Sequence, residues 1–189
     1  MALDVVPVEP NTIMVGSVLF VRRALRRLGV ERPPLDYPPR LTGYLGRKIW
    51  QTTWAEVRSQ IDDPGVSAFR DLIRTAKWPG TMRLWASEPI PFVSEWRFFI
   101  RRGQVVGVGH YKGDPLRYPD VSVVRAAIDD YAEEAPVAYG IDFGIVEAGG
   151  GTYLVEVNDG FSLGCLGLGP LACSGLLEDR WRELVDAIR

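Results

Sequence analysis

Three oxygen-bearing side chains carry the strongest chemical signal in the sequence: Asp142 in AYGIDFGIVE, with Glu156 and Asn158 in GTYLVEVNDG. The second stretch reads as a strand, and alternation sends Glu156 and Asn158 to one face while Tyr153, Val155 and Val157 take the other. A three-residue connection, Ala148 to Gly150, pairs Glu147 with Gly151 and sets Asp142 opposite Glu156, with Asn158 diagonally adjacent. A two- or four-residue loop would instead turn Asp142 to the opposite face. Carboxylates this close repel one another unless protons or a cation intervene. A hard dication such as Mg2+ prefers oxygen ligands, keeps several waters and takes one or two carboxylates together with substrate phosphates. Asp142, Glu156 and Asn158 are therefore the expected metal ligands.

Phosphate chemistry also needs fixed cations, and two stand upstream: Arg97 in SEWRFFI and Lys112 in HYKGD. Alternation groups Glu95 with Arg97, away from Trp96 and Phe98. Alone, Glu95 and Arg97 read as a cross-strand ion pair on a solvated sheet face. Beside an acidic hairpin, a phosphate-facing role is favoured. His110 ends a strand among apolar neighbours and reads as structural. Cys165 and Cys173 read as two buried free thiols, and one histidine cannot complete a zinc site with them. GFSLGCLGLG has its glycines in the wrong order for dinucleotide binding and no surrounding βαβ unit; it is a tight loop or the border of an acceptor site.

The elements that must position these residues follow from periodicity. LDVVPV suggests a short strand, and GSVLFVRRALRRLGV a helix from near Ser17 to Gly29. ERPPLDYPPR is the best linker candidate, since proline excludes helix and central strand. Thr53 with Glu56 forms a capping box opening a second helix. Strands are expected around AFRDLIR, at MRLWAS, at VSEWRFFIR and at QVVGVGHY, the last two as a hairpin turning near Arg102-Gly103. VSVVRAAIDDYAEEA returns to helical spacing, with Val121, Val124, Ile128 and Tyr131 near one side. The acidic hairpin follows, then a final helix with Leu177, Trp181, Leu184 and Ile188. This order is α+β with antiparallel sheets and lacks the regular alternation of a doubly wound fold.

The 189 residues suffice for one domain or two intimately packed lobes. Hydrophobic residues at 47% and charged residues at 24% exclude disorder, and no apolar run approaches the roughly 20 residues of a membrane span. MALDVVPVEP lacks the basic start and unbroken apolar segment of a signal peptide, so a cytoplasmic location is expected and a membrane partner is not. A net charge of -2 argues against nucleic acid as a partner. Arg22, Arg23, Arg26 and Arg27 are a solvated helix face or, alternatively, a contact surface for an acidic substrate or RNA.

SEPIPFVSEWRFFIRRGQVVGVGHYKGD, YGIDFGIVE and TYLVEVNDGFSLGCLG, in that order, resemble the core of the ATP-grasp superfamily, in particular a compact phage and bacterial clade. The specific part is an Asp in one strand with Glu-x-Asn in the next. The resemblance implies an ATP-grasp fold of two small α+β lobes with antiparallel sheets clamping ATP. It implies a short pre-ATP-grasp segment over 1–40 and an ATP-grasp domain over 41–189, split into a nucleotide-binding lobe over 41–92 and a metal- and phosphate-binding lobe over 93–189. Carried over, Asp142, Glu156 and Asn158 bind Mg2+, and Arg97 and Lys112 face the ATP phosphates or an acylphosphate. LWASEPI, with Trp85, Ala86, Ser87 and Glu88, takes the place of the hinge that reads adenine, and Glu88 or Glu95 approaches the ribose. Trp85 or Trp96 could border the base. The usual phosphate-contacting Lys-Pro pair is missing, and Arg74 and Lys77 of LIRTAKWPG stand in for it. The implied activity is an ATP- and Mg2+-dependent carboxylate-amine ligase working through an acylphosphate on an amino acid, peptide or protein substrate. The alternative is a non-catalytic ATP-binding regulatory module. The N-terminal lobe is short for a full carboxylate-binding domain, and either a separate protein or a homodimer mate could complete it.

Overall fold

In a computed structural model the chain is described over residues 8–9, 11–31, 35–60 and 70–186. The strand expected in LDVVPV and the anchor Ile188 lie outside the described residues. The chain divides into two compact units, Met1–Gly46 with Pro91–Arg189, and Arg47–Ile90. The N-terminal residues group with the larger unit, where the sequence suggested a separate 1–40 segment.

The larger unit is built on four strands, β3 (Phe92–Arg101), β4 (Gln104–Gly113), β5 (Ala138–Val146) and β6 (Thr152–Asp159), in the antiparallel order β4-β3-β5-β6. One helix, α1 (Val18–Arg27), begins where Ser17 caps the Phe20 amide and ends before Gly29 in the left-handed region. Its apolar stripe of Val21, Ala24 and Leu25 packs on Trp181, Leu184 and Val185 of α5 (Pro170–Asp186). Burial of this stripe is what joins the N-terminal residues to the larger unit. Helix α4 (Val121–Tyr131) is capped by Asp120 and buries Val124, Ala127, Ile128 and Tyr131, whereas Val121 is exposed. Leu176 of α5 closes a cluster with Phe99 and Ala138.

In the proline-rich stretch, the described residues 35–40 form a docked strap rather than a free linker. Asp36 bridges to Val157 on the edge strand β6. The 3-10 turn Pro39–Tyr44 then buries Leu41 and ties to α4 through the Tyr44 hydroxyl to Asp130, and to the turn after α4 through Arg40 to Glu133 and Glu134. Covering an edge strand this way removes a row of unpaired backbone groups.

The smaller unit carries a two-stranded antiparallel sheet, β1 (Ile49–Thr53) with β2 (Arg83–Ser87). The capping box at Thr53 and Glu56 opens α2 (Trp54–Ser59) as the sequence requires. AFRDLIR is not a strand: its described end is α3 (Arg70–Thr75). A run this short supports either period, and the helix is fixed by what it packs against rather than by its pattern.

Candidate active site

A single polar row crosses all four strands of the larger sheet. Registration sets Glu95 opposite Lys112, Arg97 opposite Asp142, and Asp142 opposite Glu156. The row has two ion-pair centres. On β3 and β4, Glu95 is buried and pairs with Lys112, and the Tyr111 hydroxyl donates to its second oxygen at 3.0 Å. On β3 and β5, Arg97 donates from Nε and Nη2 to the two oxygens of Asp142 at 2.7 and 2.6 Å. The guanidinium of Arg97 also lies 5.8 Å from the centre of the Tyr111 ring, joining the two centres.

The acidic corner forms as expected, by a different route. The turn between β5 and β6 leaves Val146 and Gly151 as its last hydrogen-bonded residues and Ile145 opposite Thr152, which alone would put Asp142 opposite Val155. A register shift between Asp142 and Phe143 supplies one extra residue on β6 and restores Asp142 to Glu156. Burial of Leu154 and then Val157, three residues apart, is the signature of that bulge. The Asn158 amide nitrogen lies 2.9 Å from Glu156 Oε1 and 3.4 Å from Asp142 Oδ2, so the three predicted ligands converge. Among the described residues no group of three His, Cys, Asp or Glu side chains is poised for a metal. The corner offers two carboxylates and one amide.

Arg97 is expected to face phosphate; here its guanidinium engages both Asp142 oxygens and faces the acidic corner, so a cation at Asp142 competes with that pair. Asp142 is 1% exposed and Arg97 14%. Burial pushes the Asp142 carboxyl above the usual aspartate range, and Arg97 opposes this only in part; the Arg97 guanidinium is held firmly charged by Asp142 against its own burial. Burial, with Asp142 and Glu95 nearby, raises the Tyr111 phenol far beyond its ordinary range, so it stays a neutral donor. The Arg97 stem crosses Gly140, where an added Cβ would sit 3.2 Å from the Arg97 Cδ. A side chain there would push on the Arg97 stem and on Leu163 by a few tenths of an ångström.

Asn158 also decides the chemistry of the corner. A half-turn of its amide exchanges nitrogen for oxygen and presents an acceptor alongside Glu156. Two oxygens of Glu156 and Asn158 then suit a hard dication that keeps its remaining sites for water and phosphate, with Asp142 joining when Arg97 moves.

The other predicted residues belong to the smaller unit. Arg74 ends α3 and Lys77 follows it, both exposed. Trp85, Ala86 and Ser87 lie on β2, with Trp85 41% exposed. Glu88 is committed differently from the ribose role expected of it: its Oε2 accepts from the Lys48 amide at 3.0 Å, closing the end of the two-stranded sheet. Glu95, the other ribose candidate, is engaged by Lys112 and Tyr111. Trp96 donates its indole N–H to Ser94 and the Arg117 carbonyl and packs between His110 and Tyr118, leaving it no face for a base. His110 is packing, as expected. Cys165 and Cys173 form a disulfide, where free thiols were expected, closing the glycine-rich loop onto the start of α5.

Two features escaped sequence reasoning. Tyr111 enters the row because a bulge between Glu95 and Trp96 sets two residues of β4 against one of β3. Alternation gave no signal for it. The buried pair of Asp159 with Arg180, at 2.6 and 2.7 Å, fixes the end of β6 to α5 and had no local signature either.

A family model described as an ATP-grasp domain, the third family of its clade, matches residues 12–184. No curated protein sequence matches the chain. Among solved structures, the chain is similar to the ATP-grasp ligase PsnB complexed with precursor peptide PsnA2 and AMPPNP, at 16% identity over 86% of this chain and 57% of that one, with a TM-score of 0.41. It is similar to the macrocyclase MdnC bound with precursor peptide MdnA from Microcystis aeruginosa MRC, at 13% identity over 88% and 60%, with a TM-score of 0.40. It is also similar to N5-carboxyaminoimidazole synthetase from Staphylococcus aureus complexed with ADP, at 12% identity over 75% and 43%, with a TM-score of 0.36. The chain thus spans 57% and 60% of the length of the two peptide-bound proteins.

Proposed function

We propose an ATP-dependent ligase, because the chain belongs to the ATP-grasp superfamily, in the clade family whose model spans residues 12–184. The substrates proposed are ATP, a carboxylate and an amine, the carboxylate or amine being carried by an amino acid or a peptide. The observation that carries the reading is the polar row from Lys112 through Glu95, Arg97 and Asp142 to Glu156 and Asn158, which alternates fixed cations with an oxygen-rich corner on one sheet.

The residues divide the work as follows. Glu156 and Asn158, with Asp142 when Arg97 releases it, are proposed to hold Mg2+, which when bound draws charge from the phosphoryl oxygens. Arg97 is proposed to exchange Asp142 for phosphate, its planar fork serving either partner. Lys112, exposed beyond Glu95, adds a second cation. In the reaction a carboxylate oxygen bonds to the γ-phosphorus as the bond to ADP breaks, giving an acylphosphate. The amine nitrogen then bonds to the acyl carbon, phosphate leaves, and the nitrogen loses a proton. The chain supplies position and charge neutralisation and no nucleophile, which agrees with a row free of serine and cysteine. Arg74, Lys77 and the LWASEPI segment with Trp85, Ala86, Ser87 and Glu88 are proposed for the nucleotide.

A second reading is a module that binds ATP without turning it over. The bidentate Arg97–Asp142 pair favours it, since that guanidinium competes with a metal for the Asp142 oxygens. Phosphate release from Mg2+-ATP with pools of amino acids and acidic peptides tests the choice. Release that depends on both an acid and an amine supports the ligase; nucleotide binding with no release under any pairing supports the module.

A further inference from the structure

A cavity of about 160 Å3 is lined by Asn158 at the end of the strand row. Its polar lining comes from Arg22 on α1, Asp36 on the strap, Asn158 and Asp159 at the end of β6, and Ser162 just beyond; Leu163 is among its apolar walls. Most of these polar groups are already committed. Both Asp159 oxygens accept from Arg180, at 2.6 and 2.7 Å. The Ser162 hydroxyl donates to the Gly16 carbonyl at 2.8 Å. The Asn158 amide nitrogen faces Glu156 and Asp142. Arg22 differs: its Nε is buried and has no hydrogen-bond partner. Arg22 as a whole is half-buried, but a buried N–H without an acceptor is a deficit that an incoming acceptor fills, and a carboxylate answers its charge as well.

Asn158 belongs both to this cavity and to the acidic corner, so a group seated on Arg22 borders the place proposed for phosphoryl transfer. The size and the partly apolar wall fit a short aliphatic stem ending in one charge. Asp36 and Asp159 on the same walls disfavour a dianionic group. We propose that this cavity receives the carboxylate to be activated, a side chain of the glutamate or aspartate type, with Arg22 as its counter-ion. The assignment of that carboxylate to activation rests on the ligase reading; the anion site itself does not.

The test is calorimetric titration without nucleotide, using N-acetylglutamate methylamide and its neutral counterpart N-acetylglutamine methylamide. The acid should bind about tenfold or more tighter than the amide, as expected for a guanidinium–carboxylate pair out of bulk water. Arg22→Gln should erase the preference, Arg22→Lys should recover part of it, and Arg23→Gln, one position along the same helix, should leave it unchanged. Equal binding of acid and amide by the unaltered chain, or a preference that survives Arg22→Gln, overturns the site. The Mg2+-ATP melting shift of Arg22→Gln is read in parallel. An Arg22-dependent acid preference in a chain that gives no ATP shift overturns the activation role and leaves the anion site standing.

Discussion

Replacing Arg97 by methionine isolates the energetics of the row's central pair. The substitution keeps most of the aliphatic stem over Gly140 and deletes the guanidinium, leaving Asp142 at 1% exposure with no cation. Removing one partner of a buried, bidentate pair costs about 3–5 kcal/mol, mostly for the charge left behind. At about 2–4 °C per kcal/mol for a chain of this size, the melting temperature should drop by roughly 10 °C. The pH dependence follows from the raised Asp142 value, which rises further without Arg97. A carboxyl whose folded pKa exceeds its unfolded one binds more protons when folded, so stability is lost as pH climbs from the ordinary aspartate range through the folded value. The deficit of Arg97→Met therefore grows as pH rises above the ordinary aspartate range and shrinks toward pH ~4. Adding Asp142→Asn removes the stranded charge and should return about 2 kcal/mol or more. Urea midpoints at constant slope measure each step. An Arg97→Met variant within about 0.5 kcal/mol of the parent at pH 7 refutes the claim that Asp142 is ionised and held by Arg97.

Thr53→Ala removes the side-chain half of the capping box on α2 and should cost about 1 kcal/mol, with urea-monitored far-UV dichroism as the readout. Asp179 is held below the usual aspartate range by Arg101 and then Arg102, so its contribution is present above the ordinary aspartate value and fades as pH falls through the depressed one. Asp179→Asn should cost about 1–2 kcal/mol at pH 7, discounted for the exposed Arg102, and the difference from the parent should narrow in urea titrations as pH falls below the ordinary aspartate value. Gly140→Ala should lift the Arg97 stem and weaken its pairing with Asp142, lowering stability by about 1–3 kcal/mol in the same assay.

Strong periodicity and local chemistry were legible in the residues. Ser17, Thr53 and Asp120 each cap a helix, and Arg102-Gly103 turns the β3–β4 hairpin, because caps and turns are decided by neighbours in sequence. The acidic corner was legible as a set of residues, but its register came from a bulge that compensates a turn one residue longer than expected. Bulges answer to cross-strand packing, so the sequence carries no local mark for them, and Tyr111 was missed for the same reason. The Arg97–Asp142 pair joins residues 45 apart on two strands, so the partner choice of Arg97 is a tertiary fact. The disulfide between Cys165 and Cys173 was set aside on grounds of compartment, which the chain itself does not encode.

The most direct measurement is the melting temperature of the unaltered chain and of Glu156→Gln at millimolar ATP, with Mg2+ and with a chelator. If Glu156 and Asn158 hold the cation that fixes the triphosphate, the unaltered chain should gain stability only when both ATP and Mg2+ are present, about 2.7 kcal/mol at a hundredfold excess over Kd, and Glu156→Gln should lose most of that gain. A shift that is the same with chelator, or that survives intact in Glu156→Gln, would contradict a metal–triphosphate site at this corner.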